Sequence, residues 1–406
     1  MQRPTDESPQ RHLLDDYSAR FARSFVRASG GRLEDDRGDD YIDFFSARGA
    51  LNYGHGEPQA PAGQTDFVQQ FRDIVLAPRA LDYRIHHAGA SGADAIESAV
   101  ELARGITGRA NVIPFTNAEQ DASLGALAGA GNEARDRDSE TKLDDGVFIP
   151  FNHFYGDDDH SVDQLQTMIA SSASAVDQPA AVIVETVQAD GGLNTADVEW
   201  LRQIEAICRE NGVLLILDEV QTGCGRTGPF FSFEPAGIRP DIVCLSRSIS
   251  AGGPALALTL VRPEHAREAG EADDVLPADT PGLGAASAAL AYWESDELQR
   301  DTERKAAIVT SALTDIAAAY PALAGEVRGR GLLQGLAVGP DDLAAAICRE
   351  ALARGLLVEA SGPRNEVIKL LPPLTIDEAT LRAGLDRLNE AIKAALKDFN
   401  PDADAA

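Results

Sequence analysis

Apolar residues recur along this chain in two rhythms, and the alternation between them predicts an α/β protein. Over 95–108, Ile96, Ala99, Val100, Ala103 and Ile106 return at helical spacing, after a GASGAD stretch that supplies turn residues and an N-cap. The runs AVIVE at 181–185 and VLLILD at 213–218 are short, continuous and apolar, and they flank a helical stretch at 198–211. That is the pattern of a βαβ unit whose two strands lie in a buried parallel sheet. Apolar strands predicted at 242–245 and 257–261 extend the sheet. Asp218 falls at the carboxyl end of its strand, where sheets of this kind collect ligands. Toward the C-terminus, helical stretches at 303–319, 342–354 and 377–396 alternate with short strand candidates, as expected of a small α/β domain folding over the sheet.

The chain of 406 residues exceeds what one hydrophobic core usually serves. The expected division is an N-terminal segment of a small domain at 1–60, a large α/β domain at 61–290, and the C-terminal part of the small domain at 291–400. A formal charge of -29 argues against nucleic-acid binding, which needs a positive field. No apolar run approaches the ~18 residues of a membrane span, so no membrane association is expected. The opening MQRPTDESPQ has neither a signal-peptide core nor a transit-peptide pattern, which makes the cytoplasm the expected compartment. Cys208, Cys224, Cys244 and Cys348 have no ligand-like spacing and read as reduced thiols, with no metal site expected.

Five segments, in order along nearly the whole chain, carry a resemblance: YIDFF with ALNYGH, ASGADAIESAVELARGITGR, AAVIVETVQADGG, LDEVQTGCGRTGPFFSFEPAGIRPDIV and VIKLLPPLTI. Together they resemble the class III aminotransferases, enzymes of fold type I that use pyridoxal phosphate (PLP). Within that family the resemblance is to the diaminobutyrate aminotransferases of the ectoine pathway. It implies an α/β fold with a large, mainly parallel sheet flanked by helices, plus a small α/β domain built from both ends of the chain. It also implies that Asp218 holds the pyridine nitrogen protonated, that Gln221 bonds the ring hydroxyl, and that the backbone amides of Gly92 and Ala93 receive the phosphate. The other reading of LDEVQTG and SGAD is that they persist as packing motifs.

The departures from the family pattern gather where the cofactor would sit. In LSRSIS the family has its Schiff-base lysine at the third position, where this chain has Arg247. A guanidinium stays protonated (pKa above ~12) and is not nucleophilic. Where the family has a Gly-aromatic-His-Gly run, this chain reads Ala118, Glu119, Gln120, Asp121. The family's Gly-Thr-aromatic-Arg-Gly stretch is not found near LPADTPGLGAAS, and Thr280 is a poor substitute for its threonine. Asp190 replaces a glutamate and Arg48 a small residue; Arg48 is expected to face solvent, and His86 and His87 precede the phosphate turn.

These departures lead to the expectation of no cofactor: an aminotransferase-fold protein independent of PLP, either a repurposed enzyme or non-catalytic. Arg247, Glu119, Asp121 and His87 are then the candidate catalytic residues, and a salt-bridge network filling the pocket is the competing reading. One alternative is an active PLP-dependent transaminase moving an amino group between a diamino acid and 2-oxoglutarate. Against it, none of Lys142, Lys305, Lys369, Lys393 and Lys397 follows the aspartate strand in a strand-to-loop segment. A further alternative is a regulatory or structural subunit of an active homologue. The expected partners are a second copy of the chain or an active homologue, and an amino-acid-like small molecule.

Overall fold

A computed structural model describes residues 9–56, 66–118, 148–154, 156, 160–170, 178–268, 274, 276–277, 280 and 282–399. Its centre is a six-stranded sheet in the order Arg84–Gly89, Ala257–Val261, Ile242–Leu245, Leu214–Asp218, Ala181–Val184, Val112–Ile113. Ala257–Val261 pairs antiparallel with both its neighbours, and the remaining pairings are parallel. Every residue of the four inner strands is buried, which is why these segments read as unbroken apolar runs: helices cover both faces.

One of those helices, Gly92–Thr107, shows how the sequence sets its own limits. The Ser91 hydroxyl accepts the Asp94 amide while the Asp94 carboxylate accepts the amides of Ala90 and Ser91, a reciprocal capping box. At the other end Gly108 takes φ +67°, and its amide donates to the Arg104 carbonyl. The helix buries Ala95, Ile96, Ala99, Val100 and Ala103 against the strands Ile242–Leu245 and Ala257–Val261. Helix Val198–Glu210 likewise buries Trp200, Leu201, Ile204 and Ile207, closing the βαβ unit.

Two four-stranded sheets and a two-stranded ribbon, Val187–Gln188 with Asn194–Thr195, complete the sheets among the described residues. Phe25–Ser29, Arg32–Asp35 and Asp40–Asp43 form an antiparallel meander, to which Leu356–Leu357, from the far end of the chain, adds a parallel strand. Glu326–Arg330, Leu333–Ala337, Val367–Leu370 and Glu359–Ser361 form the other sheet, all antiparallel. Arg226, fully buried, ties these parts to the centre: its guanidinium donates to Asn52 Oδ1 and to the carbonyls of Leu332 and Pro372. Burial lowers its pKa to about 9, and those three acceptors are what make its position tenable. Among the described residues no helix is long and apolar enough to cross a membrane.

Candidate active site

The carboxyl ends of the parallel strands gather most of the residues singled out in the sequence. Asp218 closes Leu214–Asp218 and is nearly fully buried, with its Oδ1 accepting the Val220 amide at 2.9 Å. Gly92 packs directly against Val220: a Cβ on Gly92 would come within 2.7 Å of Val220 Cγ1. That close approach brings the start of helix Gly92–Thr107 up to the Asp218 turn. As the first two residues of that helix, Gly92 and Ala93 carry amides with no intrahelical acceptor, the usual receptor for an anion. His87 lies on Arg84–Gly89, half-buried, close enough to Asp94 to help hold its carboxyl below the usual range. The larger contribution there comes from the Ala90 and Ser91 amides. His86 points to the other face of the same strand and is buried.

Arg247 follows Ile242–Leu245 in a left-handed conformation, φ +50°. Its Nη1 donates to the Arg48 carbonyl at 2.9 Å. Arg48 in turn belongs to a tight turn in which Ser46, Ala47 and Arg48 have φ of +45°, +49° and +56°, conformations that cost residues with a Cβ roughly 1 kcal/mol or more each. Asp43 Oδ1 holds this turn by accepting the amides of Phe45 and Ser46, at 2.9 and 2.8 Å. The Tyr17 hydroxyl accepts the Ala47 amide at 2.6 Å and donates to Asp43 Oδ2, which also meets His55 Nε2 at 2.9 Å. The Ser248 hydroxyl closes on the Gly49 carbonyl.

From that turn Arg48 reaches across the site. Its Nη2 meets Asp190 Oδ2 at 3.0 Å and its Nε lies 3.9 Å from Glu359, so the side chain is exposed, as expected, and in addition bridges two carboxylates. The reason is tertiary: only the fold brings residues 48, 190 and 359 together. Lys369, buried on Val367–Leu370, completes the cluster at 2.6 Å from Asp190 and 3.0 Å from Glu359. Gln221 Nε2 donates to Asp190 Oδ2 at 3.0 Å, and Arg20 meets Glu359 at 2.9 Å. Burial opposes charge on Asp190, but Lys369 and Arg48 outweigh it and hold its pKa well below the usual range. Glu359 and Arg20 carried no signal in the sequence. Lys369 did, because it stands in VIKLLPPLTI.

The remaining candidates lie elsewhere. Glu119, Gln120 and Asp121 fall outside the described residues, as does Lys142. Thr280 is buried, its amide on the Pro277 carbonyl. Lys305 is buried on its own helix, donating to the Leu374 carbonyl and pairing with Asp301, while Lys393 and Lys397 stand on the last helix. Among the described lysines, Lys369 is the one whose amine reaches the Asp190 cluster.

The aminotransferase class-III profile matches residues 15–392. The chain belongs to that family. It is 40% identical over 402 residues to a diaminobutyrate-2-oxoglutarate transaminase of Halalkalibacterium halodurans, covering 94% of each chain. A protein of the same name from Nocardia farcinica is 41% identical over 398 residues, covering 93% of this chain and 91% of that one. In fold it matches the ornithine aminotransferase of Toxoplasma gondii, a structure described as showing partial occupancy of PLP at the active site. The TM-score is 0.75 at 23% identity, covering 98% of this chain and 99% of that one.

Family membership overturns the expectation of no cofactor: a chain this similar to class III aminotransferases over nearly its whole length points to PLP. The expectation ran from reading Arg247 at the lysine position to a missing cofactor, but a cofactor's ring and phosphate are held by other groups. Those groups suit PLP here. Asp218 offers a buried carboxylate suited to a pyridinium, and the Gly92 and Ala93 amides offer donors suited to a phosphate.

Proposed function

We propose that this aminotransferase-family chain binds PLP through ring and phosphate contacts alone, without a covalent link at position 247, and takes an amino-acid-like substrate beside it. Arg247 is the observation that carries the reading. A guanidinium there is a fixed cation that neither forms the carbon-nitrogen bond nor accepts a proton. PLP, when bound, supplies an electron sink for carbanions at an amino acid's Cα. In this proposal Asp218 keeps the pyridine nitrogen protonated, Gln221 bonds the ring hydroxyl, and the Gly92 and Ala93 amides hold the phosphate. Lys369 and Arg48 receive a substrate carboxylate by exchanging it for Asp190, whose ion pairs already have the required geometry. The names of the 40% identical relatives suggest a diamino acid and 2-oxoglutarate as the substrate class. The proposal includes a homodimer, the assembly implied by the family, and sedimentation tests it.

A second reading, an active transaminase with an unrecognised lysine, is favoured by the presence of the Lys369 amine in the same cluster. One experiment separates the two: absorbance between 300 and 500 nm during PLP titration, then dialysis, borohydride reduction and peptide mapping. A band that dialyses away and leaves no reduced adduct supports non-covalent binding. An adduct on Lys369 or Lys142 establishes the second reading. No band at any PLP concentration overturns both.

A further inference from the structure

At the opposite end of the central sheet, around the amino ends of Leu214–Asp218 and Ile242–Leu245, the surface is hollowed into two adjoining cavities of about 630 and 310 Å³. Arg239 and Arg262 border both. The larger cavity adds Arg109 and Arg209, with Ile106 and Val213 among the apolar residues of its wall. Four arginines therefore meet at one hollow in a chain whose formal charge is -29.

Asp82 stands exposed at the smaller cavity, offset by Arg267 on the same rim, and the other three carboxylates that border the cavities are engaged. Asp241 accepts the Leu215 amide at 2.8 Å and meets Arg262 at 3.2 Å and His265 at 2.8 Å, while Glu264 takes the other side of Arg262. Glu205 accepts the backbone amide of Arg239 at 2.7 Å. The arginines are left with charge to spare. Arg109 donates to the carbonyls of Pro179 and Gly212, neutral acceptors that do not cancel it. Arg209 meets Glu205 only at 3.9 Å. The Arg239 guanidinium has no hydrogen bond or ion pair among the described residues.

We propose that this trough binds an organic phosphate, with its phosphate among Arg239, Arg209 and Arg109 and its body against the Ile106 and Val213 wall. Guanidinium forks match phosphate oxygens in pairs, and a patch of surplus positive charge on a strongly negative molecule draws anions to itself. The larger cavity falls in the ~300–1,000 Å³ range of small-molecule sites. The trough is separate from the candidate active site, since the length of Leu214–Asp218 lies between them, about 13 Å at ~3.3 Å per residue.

Titration calorimetry on the full chain at fixed ionic strength, with ADP and with adenosine, tests the site. The expected result is that ADP binds and adenosine does not. Replacing both exposed arginines (Arg239→Ala with Arg209→Ala) should weaken ADP at least about tenfold, the scale of one charge-assisted hydrogen bond. The single variant Arg239→Ala, which removes one exposed side chain, guards against a folding defect and should weaken ADP by about threefold or more. Arg247→Ala should leave ADP binding unchanged. Absence of ADP binding, equal binding of adenosine, unchanged affinity in both trough variants, or loss in Arg247→Ala instead would each overturn the proposal.

Discussion

Glu219 and Asp190 are carboxylates at the same end of the central sheet, and their pKa values move in opposite directions. Glu219, next to Asp218, accepts the Ser232 amide and hydroxyl and the Thr222 hydroxyl, with no ion pair among the described residues. Burial pushes its pKa up to about 7. Asp190 pays a desolvation penalty as well, yet two cations and an amide hold it ionised. Asp43 sharpens the contrast. It is fully buried, but its contact with His55, the Ser46 amide and the Tyr17 hydroxyl outweigh burial and lower its pKa. Depth alone therefore does not set charge around this site; the count and kind of donors does.

The largest test of that contrast removes a cation. Lys369→Met leaves Asp190 and Glu359 short of their buried partner and should cost about 4 kcal/mol in urea unfolding, with the Asp190 pKa rising. A loss below about 1 kcal/mol would mean that the cluster is not structurally coupled.

The second test uses pH. Because the folded Glu219 pKa is raised, its contribution to stability is fully present below its unfolded value, near pH 4.5, and is lost as pH rises through about 7. The fall across that window should be about 3 kcal/mol, and Glu219→Gln should flatten it in unfolding measured at several pH values. Asp190 works in the opposite sense. Its stabilisation is present above the ordinary carboxylate range and is lost only on acidification toward its lowered pKa.

Tyr17→Phe removes a donor from Asp43 and an acceptor from the Ala47 amide, and about 2 kcal/mol of thermal or urea stability should go with it. Arg48→Ala should do least to stability, about 0.5 kcal/mol, because the guanidinium is half-exposed. Its consequence should appear instead in weakened binding of a dicarboxylate, read by calorimetry.

The sequence pattern located the central strands closely. The runs at 242–245 and 257–261 match Ile242–Leu245 and Ala257–Val261, and 181–185 and 213–218 each overshoot by one residue. Continuous apolar runs are legible because both faces of these strands are covered. The helix predicted at 95–108 begins earlier, at Gly92, because the capping box at Ser91 and Asp94 adds a first turn with little apolar signal. The Asp190 cluster was not legible in that way. Its members come from residues 20, 48, 190, 221, 359 and 369, and no local rhythm links them. Arg48 is exposed as its sequence position suggested, but its bridge was not legible for the same reason: the carboxylates it joins are more than a hundred residues distant in the chain.

The meander of Phe25–Ser29, Arg32–Asp35 and Asp40–Asp43 has a consequence for synthesis. Its parallel partner, Leu356–Leu357, leaves the ribosome about three hundred residues after Asp43. At roughly 5–20 residues per second, the edge of Asp40–Asp43 waits about 15–60 s for its native neighbour. During that interval a nascent chain carries an open strand edge able to pair with another copy, so the order of translation governs its exposure to misassembly before final stability has any part.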